Sequence, residues 1–431
     1  MTIFKKRKRE KICVIGLDGV PYSLLLELAQ RGIMEKTAEL IDSGYLHKMK
    51  ASLPEISAVS WTNFMTGTNP GTHGIFGFTD LKKNSYDIRF PNFLDLKINT
   101  FWDTLGEKKK KCIIINQPST YPARKINGIL VSGFVAIDLA KAIFPLSLKP
   151  ILESIGYQID IDTFKAREDH EFFWKDLSKT FEGRRNAFKS FWKENWDYFE
   201  LVITGTDRLH HFLWNAYKDE NHPYHQNFLD YYRQVDSLID EVVSSFRKLT
   251  GNDDRLFILS DHGFTQIEKE VYLNAWLEKH GYLKFETSSS QNLSEISPES
   301  QAFALDPNRI YINLKGKFPK GNVSESEKQA LKKEISSKLK DLKYDGRNVI
   351  HKAFDIEEIY SGPLVSSGPD LIAVSEYGFD IKGSIKKKEI FGRSILQGMH
   401  TWDDAFFWAT KEHGEDISIS DLASIIIDDF V

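Results

Sequence analysis

Along the chain, short runs of branched apolar residues alternate with longer stretches in which apolar positions recur every three or four residues. Brief, uninterrupted apolar runs fit strands buried on both sides, whereas the longer period fits helices with one buried face. The alternation predicts an α/β fold with a mostly parallel sheet and helices on both faces. Expected strands fall at residues 12–17, 112–116, 129–132, 201–204 and 256–260. Expected helices fall at 22–43, broken near Gly32, and at 169–196 and 227–249. Past residue 274 the pattern changes: 287–300 is polar enough to form an exposed loop, followed by a strand at 309–314, a charged helix at 325–342 and a strand at 370–374. We read 275–395 as a smaller, cap-like α+β subdomain inserted into a core made of 1–274 and 396–431.

The chain has 431 residues, enough for two or three folding units at about 150 residues each. Apolar residues at 41% and charged residues at 27% exclude wholesale disorder and a fibrous protein. With 57 basic against 61 acidic residues, no global charge favours a nucleic-acid polymer or a membrane, so an anionic ligand needs a local site. Two cysteines, Cys13 and Cys112, exclude a disulfide scaffold and suit a reducing, cytoplasmic setting. The basic run at 4–11 precedes an apolar run of six residues ending at Asp18, too short for the core of a secretion signal. No stretch approaches the roughly 20 apolar residues of a membrane helix.

Three apolar runs lead into an aspartate: Ile12-Cys-Val-Ile-Gly-Leu-Asp18, Leu201-Val-Ile-Thr-Gly-Thr-Asp207 and Leu256-Phe-Ile-Leu-Ser-Asp261. Parallel strands deliver such residues to one sheet edge, the edge where ligands collect in open α/β sheets. His211 stands four residues after Asp207, on the same face if that segment is helical, and His262 adjoins Asp261. Mixed carboxylate and imidazole donors suit Zn²⁺ or Mn²⁺ better than Ca²⁺. His210 competes with His211, and His400, in Gly398-Met-His-Thr, is a further candidate. Taking Asp18, Asp207, Asp261, His211, His262 and His400 gives three donors for each of two ions, leaving open positions for substrate. Ser57, after the turn at Pro54, is placed to cap a short helix at 58–66 closed by Gly67, where a phosphoryl group would meet the positive end of the helix.

Asp18, the segment Pro54-x-x-Ser57-x-x-x-Trp61-x-x-x-x-Thr66-Gly67-x-x-Pro70-x-x-His73-Gly74, Asp207-x-x-x-His211, Ser260-Asp-His-Gly263 and Gly398-x-His400 occur in the order of the type I phosphodiesterase/nucleotide pyrophosphatase family. The chain resembles that branch of the alkaline phosphatase superfamily over nearly its whole length. Ile310-Tyr-Ile-Asn-Leu-Lys-Gly316 and Gly368-Pro-Asp-Leu-Ile372 further resemble its bacterial and archaeal predicted phosphohydrolase/phosphomutase members. The resemblance implies an alkaline-phosphatase-like core and two divalent ions. Asp18, Asp261 and His262 would hold one ion, Asp207, His211 and His400 the other, and Ser57 would lie between them as the metal-bound nucleophile. It also selects His211 over His210, while His73 and Gly74 read as loop structure. One departure is Phe78, which stands where many nucleotide pyrophosphatases place a phosphate-binding asparagine and cannot donate a hydrogen bond.

The implied chemistry is in-line phosphoryl transfer to Ser57 followed by hydrolysis of the phospho-serine, on a phosphodiester or a nucleotide-pyrophosphate-like bond. The partner is then a small phosphorylated molecule, with nucleotides and sugar nucleotides among the candidates. Sulfatases share the fold but need a Cys/Ser-x-Pro-x-Arg motif absent from Ser57-Ala-Val-Ser-Trp. A cofactor-independent phosphomutase or phosphomonoesterase is the competing enzyme reading. A catalytically silent binding protein is the other alternative, though every site position keeps a competent residue. No lysine or arginine lies in 53–75, which favours monoanionic diesters unless Arg208, Arg309 or a lysine of the insertion reaches the site. Trp61, Phe76 and Phe78 are aromatic, but core packing accounts for such residues without any base stacking.

Overall fold

The computed structural model describes residues 11–287 and 292–428. An eight-stranded sheet runs through it, built from β1 (Ile12–Leu17), β2 (Tyr45–Met49), β3 (Cys112–Gln117), β4 (Gly128–Ser132), β5 (Ile143–Phe144), β6 (Tyr198–Ile203), β7 (Leu256–Leu259) and β8 (Ala405–Ala409). The order is β2-β8-β7-β1-β6-β3-β4-β5. The five strands from β7 to β4 are parallel, and the pairings beyond them on each side are antiparallel. Side chains of β1 alternate between two hydrophobic layers, as a strand buried on both faces must. Cys13, Ile15 and Leu17 join the layer under the helices Tyr22–Gln30, Glu35–Ser43, His170–Phe191, Gly205–Lys218 and His225–Thr250. Ile12 and Val14 join the opposite layer with Trp61, Phe64, Trp102 and Ile426.

The five expected strands all occur, within three residues at their ends. Gly32, at φ 68°, separates the first two helices. The long helix expected from 169 begins at His170, and the Asp169 carboxylate caps it by accepting the Phe172 N–H at 2.9 Å. Three sheet strands escaped the sequence pattern, among them β5, whose two residues are too few to show a period. β2 reads Tyr-Leu-His-Lys-Met with polar residues among the apolar ones, and β8 follows the polar run Trp-Asp-Asp.

The segment after residue 274 carries a separate antiparallel sheet of Ala302–Leu305, Arg309–Ile312, Leu371–Ser375 and Ile350–Asp355. The helix Glu325–Lys340 packs its Leu331, Ile335 and Leu339 into the hydrophobic cluster of that sheet. The expected exposed loop at 287–300 lies partly outside the described residues. In its described part Leu293, Ile296 and Ser300 are buried, a correction that follows from Ile296 pairing across to Phe285. Where the chain leaves and re-enters the main sheet, Gly263–Gln266 pairs antiparallel with Gly398–Thr401 and sets Phe264 opposite His400. No helix among the described residues is long and apolar enough to cross a membrane.

Candidate active site

Parallel strands β1, β6 and β7 end side by side, and the turns after them build the site. Asp18 follows β1 directly, and Gly19 then takes φ 66°, a backbone state that glycine adopts without strain. That turn aims the Gly19 N–H at Asp261 Oδ1, 3.0 Å away across the sheet edge. Asp261 and His262 follow β7 in the same manner. Asp207 departs from the expectation of a strand-end residue: β6 stops at Ile203, and Asp207 rides the first turn of the helix Gly205–Lys218. His211 is therefore one turn further along the same helical face. His400 arrives on the strand Gly398–Thr401, and a Cβ at Gly398 would stand 2.6 Å from the His210 carbonyl oxygen. Only glycine lets that strand approach so closely.

Ser57 is the first residue of the helix Ser57–Thr66, which Gly67 closes in the left-handed conformation. The expectation that Ser57 caps this helix is corrected, because Ile56 occupies the capping position and no side chain caps it. The serine hydroxyl is instead turned outward, 3.2 Å from Asp18 Oδ1 and 3.2 Å from His262 Nε2. All seven expected residues meet at this place. Asp207 Oδ1 lies 3.4 Å from His211 Nε2 and 3.3 Å from His400 Nε2, and His262 Nε2 lies 3.3 Å from Asp261 Oδ2. Donor atoms of Asp18, Asp261 and His262, and those of Asp207, His262 and His400, fall within 4.8 Å of one another, so His262 stands between the two groups. The rings of His262 and His400 stack at 3.7 Å.

The three imidazoles are oriented alike. Nδ1–H of His400 donates to the Glu55 carbonyl at 2.7 Å, that of His211 to the Gly398 carbonyl at 3.0 Å, and that of His262 to the Gly263 carbonyl at 3.1 Å. Each Nε2 lone pair is thereby aimed inward, an arrangement that metal-ligating histidines need. His211 and His400 bring their Nε2 atoms to 3.0 Å, and Asp207 Oδ1 and Asp261 Oδ2 are buried without a hydrogen-bond partner. Facing lone pairs and orphaned carboxylate oxygens call for cations between them, so the donor set fits divalent metal ions. The titration behaviour agrees. Burial drives Asp18 well above the usual carboxylate range, with Asp261 and Asp207 adding repulsion. Asp261 rises to about 7 through burial, with Asp207 adding to it and the Gly19 amide opposing. Burial lowers His211 to about 3 and His262 well below the normal range, keeping both rings neutral as ligands must be. Asp207 and His400 move the other way: burial disfavours both charges, but His211, His400 and Arg208 together outweigh it and lower Asp207, while the hydrogen bond and attraction to Asp207 raise His400.

His210, the competing donor, has both nitrogens engaged, with the Gly19 carbonyl at 2.8 Å and the Tyr232 hydroxyl at 2.7 Å. His73 is buried and shared between the Ile75 N–H and the Asn63 side chain. Sequence reasoning missed Asp160. Its carboxylate accepts from Arg208 Nε at 3.1 Å and Nη2 at 2.6 Å, while Arg208 Nη1 donates to Asp207 Oδ2 at 2.8 Å. This clamp turns Asp207 Oδ1 toward the histidines. No spacing motif links 160 to 207, so the sequence offered no signal for it.

The chain matches the type I phosphodiesterase/nucleotide pyrophosphatase family over residues 12–403 and belongs to it. Among solved structures, phosphonoacetate hydrolase from Sinorhizobium meliloti 1021 in complex with phosphonoformate superposes with a TM-score of 0.65 at 13% identity, covering 98% of this chain and 96% of that one. Murine ectonucleotide pyrophosphatase/phosphodiesterase 5 superposes with a TM-score of 0.55 at 13% identity, covering 97% and 94%. An inactive variant of the latter, solved with AMP, gives 0.54 at 12% identity. No curated protein matches the chain by sequence. The fold is that of the alkaline phosphatase superfamily. The family makes the chain a phosphoesterase-type phosphoryl hydrolase.

Proposed function

We propose that this hydrolase cleaves phosphodiesters with Ser57 as nucleophile, through a phospho-serine intermediate. The observation that carries the reading is the placement of the Ser57 hydroxyl, 3.2 Å from both Asp18 and His262, on a helix N-terminus beside the converging donors. Asp18, Asp261 and His262 would hold one divalent ion and Asp207, His211 and His400 the other, Zn²⁺ or Mn²⁺ by donor chemistry. Such ions activate hydroxyl and water and offset the charge that builds on phosphoryl oxygens. The chain's own contributions are orientation and field. Asp18 accepts the serine proton's hydrogen bond, and the first turn of the Ser57 helix leaves amides free for a phosphoryl oxygen. Segment 275–395 acts as a cap: Asn308 donates to the Glu55 carboxylate at 3.2 Å, and a recess of about 80 Å³ lies between Asn308, Lys382, His211 and His400.

Charge favours a diester over a monoester. Two divalent ions against three aspartates leave about one positive charge, a match for a monoanion. Arg208 is near enough to alter this, but Asp160 and Asp207 together hold its guanidinium. Lys382 is paired with Asp380 at 2.7 Å. The test is steady-state kinetics on p-nitrophenyl phosphate and methyl p-nitrophenyl phosphate. The diester should show the larger kcat/KM. A monoester preference of about tenfold, roughly 1.4 kcal/mol in barrier, would overturn the reading and point to a monoesterase or mutase.

A further inference from the structure

A second feature of the Ser57 helix is the cavity of about 560 Å³ along its flank, within the size range of small-molecule sites. Ala58, Thr62 and Met65 form one stripe of the cavity wall, which at helical rise extends about 10 Å away from the nucleophile. The wall is continuous with the catalytic cluster. Ala58 follows Ser57, Phe78 packs on Ile56, Ala58 and Val59, and Phe134 meets Phe78 edge-on at 5.4 Å. The other side of Phe134 carries the Arg208 guanidinium, 4.1 Å from the ring centre, which in turn holds Asp207.

The wall chemistry is almost wholly apolar. The Thr62 hydroxyl donates to the Ala58 carbonyl at 2.6 Å, Ser119 donates to the same oxygen at 3.4 Å, and the Asn92 carboxamide oxygen accepts the Leu94 N–H at 2.9 Å. Among the lining side chains that leaves the Tyr121 hydroxyl and the Asn92 amino group as the uncommitted donors, too few for the several acceptors of a ribose and a base, each of which needs a partner when buried. At the rim, Phe90 is 74% exposed and Ile137 88% exposed, an arrangement costly in water unless an apolar ligand covers it. An apolar cavity that follows about 10 Å of helix, with a flexible methionine on its wall, suits an extended chain better than a flat polar ring.

We propose that this cavity binds an unbranched alkyl chain esterified to the phosphate, so that the substrates are phosphodiesters with one long apolar substituent. The proposal rests on the hydrolase reading above for the position of the phosphate, and on the cavity alone for the chain.

The experiment has two arms. In the first, p-nitrophenyl esters of methyl, butyl, octyl and dodecyl phosphate and of thymidine 5′-phosphate are turned over by the metal-loaded protein. Each buried methylene should raise kcat/KM by up to about fourfold, and the octyl ester should exceed the methyl ester by at least about a hundredfold. The thymidine ester should fall well below the octyl one. In the second, Ser57→Ala protein is titrated calorimetrically with methyl and dodecyl phosphodiesters below their micellar range. Binding should tighten with chain length, and Phe90→Ser or Ile137→Ser, both at exposed positions, should weaken the dodecyl ester by about tenfold. Turnover that is flat with chain length, or a thymidine ester that is preferred, overturns the chain site alone. Chain-dependent binding with no turnover of any ester upholds the chain site and overturns the hydrolase reading. Neither binding nor turnover overturns both.

Discussion

Two sets of buried carboxylates share the central sheet and have opposite surroundings. Asp18, Asp207 and Asp261 lie at the carboxyl ends of the parallel strands, where three imidazole nitrogens face them and two of their oxygens have no hydrogen-bond partner. Glu200 lies in the middle of β6, fully buried, with Tyr198 donating to one oxygen at 2.6 Å and the other oxygen also without a partner, but with no imidazole among the described residues facing it. Burial raises Glu200 to about 8, so at neutral pH it is largely a protonated acid. Desolvation is common to both sets and makes neither one a site. What differs is position and neighbours: an open sheet edge with soft donors close by makes carboxylates into ligands, and a strand interior makes one into a neutral core residue.

The largest expected effect tests the ligand side of that contrast. Treatment with a strong chelator should abolish phosphodiesterase activity and Zn²⁺ or Mn²⁺ should restore it, with two ions per chain by elemental analysis. Full activity in metal-free protein would break the comparison at its stronger end. Ser57→Ala should lower kcat by about four powers of ten while the ion content stays at two, since neither proposed ligand set loses a side chain. Near-normal turnover by that variant would mean that another group attacks phosphorus.

Next in size is the clamp behind Asp207. Asp160→Asn leaves Arg208 hydrogen-bonded but no longer charge-balanced, so the guanidinium should draw Asp207 toward itself and away from His211 and His400. Partners behind a ligand are typically worth 10- to 100-fold in metal affinity, and a loss of about that size is expected for one ion only. Competition against a chromophoric chelator would show it as one weakened and one unchanged site. Equal weakening of both would mean that Asp160 serves the fold and not the ligand.

Much of this was legible in the chain, and the failures have physical reasons. β1, β3, β4, β6 and β7 announce themselves because a strand buried on both faces carries a run of apolar residues, which in β6 is unbroken only after Glu200, and β2, exposed at its first residue, carries no such mark. Asp18 and the Asp261–His262 pair could be found from their place after such runs. Ser57 was located but misread as a cap, because its hydroxyl is drawn to Asp18 and His262 across 39 and 205 residues of chain instead of to its own helix. Residue chemistry alone leaves His210 and His211 in competition, and it is the family resemblance of Asp207-x-x-x-His211 that selects between them. The physical reason lies in the distant Tyr232 and Gly19, which occupy both nitrogens of His210. Asp160 and the cavity wall at Phe134 likewise depend on contacts that the fold alone brings together.

The smallest expected effect tests the other side of the contrast and concerns stability alone. Glu200 has a folded pKa of about 8 against an ordinary value near 4.5 in the unfolded chain. Between those values the folded state binds the extra proton, so stability falls as pH rises through this window, and the full penalty is present above about pH 8. Glu200→Gln keeps the shape and an acceptor for the Tyr198 hydroxyl but has no charge to bury. The variant should match the parent near pH 4 and become more stable by about 2 kcal/mol at pH 9, read from urea unfolding midpoints at both pH values. Catalysis should be unaffected, because Glu200 lies in the strand interior with no contact to the ligand cluster. A variant less stable than the parent at high pH would mean that Glu200 is ionised in the folded protein, and the distinction drawn between the two sets of acids would then fail on this side.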